Sequence, residues 1–418
     1  MTLLETRPSL WRNPDFLRFW FGETVSLMGT QVANLALPLT AIDAFGASDE
    51  QVGLLRFLQL VPYLGLALVF GVWVDRVRRK RVMLGANLAR MALLALIPLL
   101  YWAGWLGPVP FMAIACAVGV ASVLFDVSWM SYVPTLVKDP AGYVEAGAKT
   151  AASSSAADVA GPGLAGLLIG WLSAPVALLA NVGGFAVSVV SLLMIGAEEP
   201  VPDRAKRRRV GAELREGLAW VLRSPVLRAL AVVGFCCNFS MIAVWTMFLL
   251  YGTRDLGLPA GTIGFVFATA SVGGLTGALV SRRVIARFPV GRVYLVAQTM
   301  LLLGPSLIVA AGGPRPVLVG MFIASFFTTY LGLGVAGVII VGLRQTSTPR
   351  AMMGRMTAVF RTLLFGGGAL GGLTAGLLTG AIGAKGALTA AAIGSAAVVA
   401  GLLVSPVTRL RTMPEPVD

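Results

Sequence analysis

Ionisable side chains stand inside apolar stretches in the first half of the chain, among them Glu23, Arg90, Asp126 and Asp158. Removing a charge from water is costly unless the charge is paired or hydrated, so each of these residues needs a physical reason. Desolvation and a like-charged neighbour both favour the protonated form of a carboxyl group. The chain has no His, which excludes Ser-His-Asp hydrolysis and HExxH zinc chemistry. We therefore expect carboxylates that hold and release protons, and no metal site.

Membrane-spanning helices are the elements that must position these residues. Of 418 residues, 57% are apolar and only 12% are charged, which excludes a disordered chain and an ordinary soluble domain. A bilayer core about 30 Å thick requires roughly 20 apolar residues in a helix. Stretches of this kind predict twelve spans, at 16–42, 52–74, 82–104, 109–133, 147–170, 174–196, 227–251, 261–281, 293–311, 316–341, 356–381 and 385–405.

The distribution of Lys and Arg predicts the orientation in the membrane. Of the 33 basic residues, the loops on one side hold only Arg254, Arg315 and Lys385, and three more fall inside spans (Arg56, Arg90 and Arg361). All the others lie on the opposite side, which the positive-inside rule makes cytoplasmic. Both termini are then cytoplasmic, and the net charge of +14 is a topology signal rather than a nucleic-acid site. We expect Arg56 to extend towards the outer surface.

Three of the buried charges are predicted at one depth. Glu23, Arg90 and Asp126 each lie seven or eight residues from the cytoplasmic end of their span, or roughly 10–12 Å into the membrane. Two carboxylates beside one guanidinium would hold one proton between them. The alternatives are a structural ion pair between Asp126 and Arg90, and a Glu23 that extends to the cytoplasmic headgroups.

An internal repeat divides the chain into two halves. An offset of 211 places Gly53 on Gly264 and Arg76 on Arg287, and an offset of 210 places Ala165 to Leu168 on Ala375 to Leu378. Two six-span halves in the same orientation are typical of a parallel repeat in a transporter. We predict a first bundle at 1–200, a cytoplasmic linker with an amphipathic helix at 201–225, and a second bundle with a short tail at 226–418.

The loop after span 2 combines one glycine and one aspartate with a run of basic residues. It contains Gly71, Asp75, Arg76, Arg78, Arg79, Lys80 and Arg81. This pattern resembles the G-x-x-x-D-R-x-x-R-R signature of the major facilitator superfamily. The resemblance implies an all-α integral membrane fold of two pseudo-symmetric six-helix bundles. In that family the loop touches span 11 and latches the outward-open state, which implies a latch of Gly71, Asp75, Arg76, Arg79, Arg355 and Arg361.

Span 5 carries a second motif, Gly161, Pro162, Gly163 and Gly166, with Ala165 where a glycine is usual. It resembles the G-P-x-x-G-G antiporter motif of superfamily exporters, in which proline bends the helix and small residues allow close packing. The family places this helix against span 8, which offers Gly273, Gly274 and Gly277. Together with the loop before span 11, the motif is similar to the branch of macrolide, tetracycline and enterobactin-type exporters.

The charges inside the spans indicate which residues couple protons. We expect Glu23 and Asp126 to couple protons, with Asp158 as a third acid and Arg90 as a structural ion partner. The substrate cavity of the family is lined by spans 1, 4, 7 and 10. Here these spans carry aromatic and weakly polar residues that suit a bulky, partly apolar compound, cationic ones included. The candidate cavity residues are Asn34, Phe125, Trp129, Asn238, Phe239, Trp245, Phe326 and Tyr330.

The leading hypothesis is therefore proton-coupled efflux of drug-like or amphipathic small molecules by alternating access. The alternatives are a dedicated exporter of one endogenous metabolite, such as a siderophore or an antibiotic, a proton symporter for uptake, and a sensor that does not transport. We expect no enzymatic activity, no cofactor beyond the proton gradient, and no nucleic-acid partner. The protein is expected to act as a monomer in the cytoplasmic membrane, with the substrate, protons and the lipid bilayer as its partners.

Overall fold

The computed structural model describes residues 10–74, 76–137, 140–197, 199, 210–349 and 352–415. Within these ranges all regular structure is helical. The α-helices are α1 (Pro14–Phe45), α2 (Asp49–Leu60), α3 (Pro62–Val74), α4 (Arg79–Trp102), α5 (Pro108–Leu136), α6 (Pro140–Leu172), α7 (Ala174–Leu193), α8 (Val210–Arg223), α9 (Pro225–Leu250), α10 (Ala260–Arg287), α11 (Val290–Leu303), α12 (Ser306–Val309), α13 (Arg315–Thr346) and α14 (Met353–Leu403).

Ten helices of the described residues are long and apolar enough to cross a membrane. Two details of the helices account for the twelve predicted crossings. The second crossing is divided at Val61 into α2 and α3, because Pro62 cannot donate a backbone hydrogen bond to the preceding turn. Helix α14 has 51 residues and bends at Gly383, where φ is 74°, so it contains two crossings. The predicted all-helical membrane fold is confirmed.

Capping residues explain the sharp turn between the first two crossings. Helix α1 ends at Gly46, which adopts a left-handed φ of 61°, a conformation that glycine accepts without strain. Helix α2 begins two residues later with a capping box, in which Ser48 and Gln51 exchange side-chain and backbone hydrogen bonds. The short turn holds the two crossings antiparallel.

The outer surface of the helices is apolar. Trp171 and Val109 are each 80% exposed, and Leu279 is 70% exposed. Large apolar side chains would not remain in water in such numbers, so this surface faces lipid. Charged side chains in the interior are consequently the unusual feature of the molecule.

The two halves meet at two pairs of glycines. A β-carbon on Gly376 would stand 2.7 Å from Cα of Gly53, and one on Gly264 would stand 3.0 Å from Cα of Gly166. The repeat offsets convert the first pair into the second, so the contact between the halves follows the internal pseudo-symmetry. Such close backbone contact is possible only without side chains. At the same end of the molecule, Arg254 pairs with Asp49 across the halves.

The linker helix α8 packs against the start of α14. Val221 is 1% exposed, whereas Leu218 and Leu222 on the neighbouring face are 42% and 51% exposed. Gly217 is so close to α14 that an added β-carbon would stand 2.8 Å from the carbonyl oxygen of Arg355. Arg355 in turn forms an ion pair with Glu216. The amphipathic helix thus joins the linker to the second half.

We predict that Gly376→Ala lowers the melting temperature of the purified protein. The added methyl group would stand 2.6 Å from the carbonyl oxygen of Asp49, and overpacking of this kind costs about 1–3 kcal/mol. Gly394→Ala is the matched control in α14, because nothing lies within 4 Å of that position. Thermal unfolding in a neutral detergent measures both. Equal melting temperatures for the two variants would contradict the close contact.

Candidate functional site

Glu23, Arg90 and Asp126 converge from α1, α4 and α5. Each carboxylate lies within electrostatic range of the guanidinium of Arg90. Neither of them forms an ion pair with Arg90 within 4 Å among the described residues. The three charges are therefore close to one another, while the direct ion pair of Asp126 with Arg90, which was the structural alternative, is absent among the described residues.

Aromatic rings hold the Arg90 side chain in place. Its guanidinium carbon lies 4.1 Å from the ring centre of Phe125 and 4.3 Å from that of Phe185. The side chain is 5% exposed and donates a hydrogen bond to Asn87, which itself donates to Ser188. Cation–π contacts gain strength when the cation is desolvated. Arg90 therefore supplies a fixed positive charge between the two carboxylates.

Tyr63 connects Asp126 to the second half of the molecule. Its hydroxyl donates to Oδ2 of Asp126 at 2.8 Å, and its ring stacks on Phe365 of α14 with the ring centres 4.1 Å apart. Arg361, one turn earlier in α14, donates to the sulfur of Met130. A change in the charge of Asp126 would act on a residue that contacts both halves.

Glu23 has a buried carboxylate oxygen with no hydrogen-bond partner among the described residues. An ionised oxygen in that position is expensive, whereas protonation removes the charge. The arrangement is therefore suited to a proton that binds and leaves, which is the chemistry expected of two carboxylates beside one guanidinium.

A cavity of about 430 Å³ lies between the two halves. Residues from α1, α2, α6, α9, α10 and α13 line it, and they form a mostly polar wall on the first half and a mostly apolar wall with three aromatic rings on the second. The lining consists of Gln31, Asn34, Leu35, Arg56, Leu60, Asp158, Pro162, Met241, Ile242, Trp245, Phe267, Ser271, Tyr330 and Leu333.

Hydrogen bonds connect the residues of the polar wall. Gln31 donates to Asp158, and Asn34 donates to Gln31 at 3.0 Å. The backbone oxygen of Asn34 accepts a hydrogen bond from Arg56 at 2.7 Å. The wall thus carries one acidic residue and one basic residue, Asp158 and Arg56, which are connected through Gln31 and Asn34. Arg56 is directed into the cavity, which corrects the expectation that it extends to the outer surface.

Trp245 is the centre of the aromatic wall. Phe267 stacks on it with the ring centres 4.6 Å apart, and the guanidinium of Arg56 lies 4.2 Å from its ring centre on the first half's side. Phe326 packs edge-on against Phe267. The rings therefore support each other and leave one tryptophan face in contact with a charge.

The two walls are related by the internal repeat. The offset of 211 that aligns Gly53 with Gly264 also aligns Asn34 with Trp245 and Arg56 with Phe267. All four of these cavity residues line the same space. Repeat-related positions therefore face each other across the cavity, and they are polar in the first half and aromatic in the second.

Three of the predicted cavity residues, Asn34, Trp245 and Tyr330, line this space. The others lie elsewhere. Phe125 packs against Arg90, and Trp129 stacks on Phe19. Asn238 donates to the backbone of Leu364, Phe239 contacts Gly371, and Phe326 lines a small neighbouring pocket. Spans 1, 7 and 10 therefore contribute to the cavity as predicted, but half of the residues chosen on them lie on other faces of their helices.

The antiporter motif packs α6 against two helices. Gly161 faces Gln31 of α1, and Gly166 faces α10 at Ala260 and Gly264. The carbonyl oxygen of Pro162 would lie 2.4 Å from a β-carbon on Gly264, while Gly163 stands beside Ala268. The expected partners Gly273 and Gly277 lie about two and a half and three and a half turns further along α10 than Gly264, and they pack against α13 instead.

The residues of the expected latch are only partly described. Asp75 lies outside the described residues. Gly71 is nearest to Val127, and Arg76 is exposed. Arg79 pairs with Glu199, and Arg355 and Arg361 contact Glu216 and Met130. Glu199 also accepts hydrogen bonds from the backbone nitrogens of Arg79 and Lys80, so it caps the N-terminus of α4.

Sequence reasoning missed Gln31, Arg56 and Tyr63 as site residues. Arg56 had a usable signal, because the repeat offset of 211 aligns it with Phe267, an aromatic residue of span 8. Tyr63 had none, since one tyrosine in an apolar helix has no preferred face in the sequence pattern.

The chain folds into two halves of six crossings each, which are related as a parallel repeat and enclose a cavity between them. This architecture is that of a secondary transporter. The sequence profile of the Major Facilitator Superfamily matches residues 19–372, and the chain belongs to that family.

Curated relatives extend over most of the chain. The multidrug efflux pump Tap of Mycolicibacterium fortuitum is 26% identical over 362 residues, which cover 85% of this chain and 87% of the relative. The enterobactin exporter EntS of Escherichia coli O1:K1 / APEC is 26% identical over 387 residues, with 89% and 85% covered.

Solved structures have the same fold. A bacterial homologue of the iron transporter ferroportin in an inward-facing state superposes with a TM-score of 0.75 at 15% identity, covering 96% of this chain and 100% of its own. The nucleoside transporter NupG gives 0.73 at 12% identity, with 94% and 98% covered. The relatives and the fold are those of transporters, which are not enzymes.

We predict that Arg90→Lys lowers the melting temperature although the charge is kept. A lysine ammonium cannot lie flat between Phe125 and Phe185 as a guanidinium does, and the loss of buried contacts is expected to cost about 1–3 kcal/mol. Arg18→Lys is the control, because Arg18 pairs with Asp15 at a partly exposed site where such pairs contribute up to about 1 kcal/mol. A similar loss in both variants would contradict a special structural role for Arg90.

Proposed function

We propose that the protein exports amphipathic small molecules across the cytoplasmic membrane in exchange for protons. The cluster of Glu23, Arg90 and Asp126 carries this proposal, because it places two half-buried carboxylates beside one fixed positive charge. One proton would neutralise the excess negative charge. The multidrug and siderophore exporters among the relatives support the outward direction of transport.

Alternating access would act through the contacts between the halves. The two glycine pairs and the pair of Arg254 with Asp49 hold the halves together at one end, which the positive-inside orientation places outside the cell. These contacts would separate when the cavity opens outwards. Both termini would then be cytoplasmic. The transporter would work as a monomer, with the proton gradient in place of a cofactor.

Protonation would favour substrate release through Asp126. The Tyr63 hydroxyl donates to an ionised or a neutral Asp126, but a charged acceptor makes the stronger hydrogen bond. Protonation from outside would weaken this hydrogen bond and loosen Tyr63 and its stack with Phe365. Asp158 in the cavity would be a third acid whose charge depends on its exposure to either side.

A dedicated exporter of one endogenous metabolite is the second candidate. The enterobactin exporter among the relatives supports it, because its identity to this chain equals that of the multidrug pump and its coverage is similar. Both candidates share the same proton chemistry and differ only in the range of substrates.

Expression in an efflux-deficient host separates the two candidates. Tolerance to a panel of compounds would be measured with and without a protonophore. Several unrelated compounds that become tolerated, with loss of tolerance when the protonophore is present, are expected of a multidrug exporter. Tolerance to none would favour the dedicated exporter, and tolerance that persists with the protonophore would contradict proton coupling.

We predict that Glu23→Gln and Asp126→Asn each reduce pH-driven transport in inverted vesicles to near the level of empty vector. Each amide keeps the shape of the side chain but cannot bind and release a proton. Asp43→Asn is the control, since Asp43 is an exposed carboxylate in the same helix as Glu23. Proton coupling through this cluster is wrong if both cluster variants transport as well as the control.

A further inference from the structure

Arg56 places a positive charge without a carboxylate partner in the cavity wall. No carboxylate oxygen of the described residues lies within 4 Å of its guanidinium nitrogens. The residue is only 9% exposed. A buried charge inside a membrane is costly when it lacks an opposite charge, and a purely structural role would be served by an uncharged side chain. The position therefore calls for a negatively charged group that is not part of the protein.

Packing holds the Arg56 side chain ready for such a group. Gly372 of the second half makes room for it, because a β-carbon there would stand 2.6 Å from Cβ of Arg56. Two hydrogen bonds fix the guanidinium, to the backbone oxygen of Asn34 at 2.7 Å and to Gln59 at 3.2 Å. A guanidinium has further N–H donors in the same plane, and these remain for a ligand.

The surroundings of Arg56 suit an aromatic or amphipathic anion. Trp245 lies against one face of the guanidinium, and Phe267 and Tyr330 continue the apolar wall of the cavity. The acid of the cavity, Asp158, accepts a hydrogen bond from Gln31 at one of its two oxygens. An anionic oxygen would meet the free donors of Arg56, while its ring system would pack against the other apolar lining residues of the second half, such as Ile242 and Tyr330.

We propose that Arg56 binds the anionic group of the transported compound, a carboxylate, phenolate or sulfonate attached to an apolar ring system. This differs from the cationic compounds that the aromatic spans suggest from the sequence. The proposal rests on the proposed function in naming the ligand as the transported compound. Binding itself is independent of proton coupling, so the two can fail separately.

Three probes of one shape test the charge preference. 2-Naphthoate, 2-naphthamide and 2-naphthylmethylammonium share a ring system and differ in charge. Their binding would be measured with purified protein in nanodiscs of zwitterionic lipid, with empty nanodiscs as the blank. We expect wild-type protein to bind naphthoate about tenfold to a hundredfold more tightly than the ammonium probe, as for a charge-assisted hydrogen bond.

Variants assign the preference to Arg56. Arg56→Gln is expected to remove the preference for naphthoate, and Arg56→Lys to restore part of it. Arg315→Gln is the control for an exposed arginine outside the cavity and is expected to bind like wild type. Melting temperatures confirm that each variant is folded.

Naphthoate that binds no more tightly than the ammonium probe overturns the proposal, as does a preference that persists in Arg56→Gln. Naphthoate binding through Arg56 in a protein that exports no compound would contradict the proposed function and leave the anion site standing.

Discussion

The two halves of the transporter touch through glycine backbones, and this contact determines where the cavity can form. Gly53 with Gly376, and Gly264 with Gly166, bring helices of opposite halves together without side chains between them. About one turn further along the same helices, larger residues stand at the interface and the walls separate. Arg56 and Phe267 occupy these positions. The glycine contacts therefore set both the closed end and the distance between the polar and aromatic walls.

The two halves are related by pseudo-symmetry in their contact, but they differ in the chemical character of their side chains. Repeat-related positions carry Asn34 and Arg56 on one side and Trp245 and Phe267 on the other. The first half holds every acid found within the predicted spans, and its buried charge on Arg90 is sheltered by Phe125 and Phe185. The second half provides stacked aromatic rings, which carry no charge and therefore need no opposite charge inside the membrane. One half is thus suited to bind charge and the other to bind apolar surface.

The sequence predicted the crossings and the repeat, because these depend on length, hydropathy and residue spacing. It did not predict which face of a helix meets the cavity. A soluble helix shows its buried side as an apolar stripe, but a helix that is apolar all round does not. Phe125 and Trp129 were therefore expected in the cavity and pack elsewhere, whereas Arg56 was expected at the surface and lines the cavity. The break at Pro62 places Tyr63 and Arg56 in two separate helices. The directions of their side chains then depend on how the two helices pack, which the sequence pattern does not show.

Two polar layers lie along the same crossings of the first half. Helix α1 carries Glu23 in one layer and Gln31 in the other, about 12 Å apart along the helix axis. The second crossing likewise carries Tyr63 beside Asp126 and Arg56 in the cavity, but it is divided at Val61. A continuous helix transmits a displacement along its whole length, while a divided crossing lets its two parts move separately. Under the proposed function, α1 would carry a change at the proton cluster into the cavity, and the divided crossing would let Tyr63 follow Asp126 without displacing Arg56.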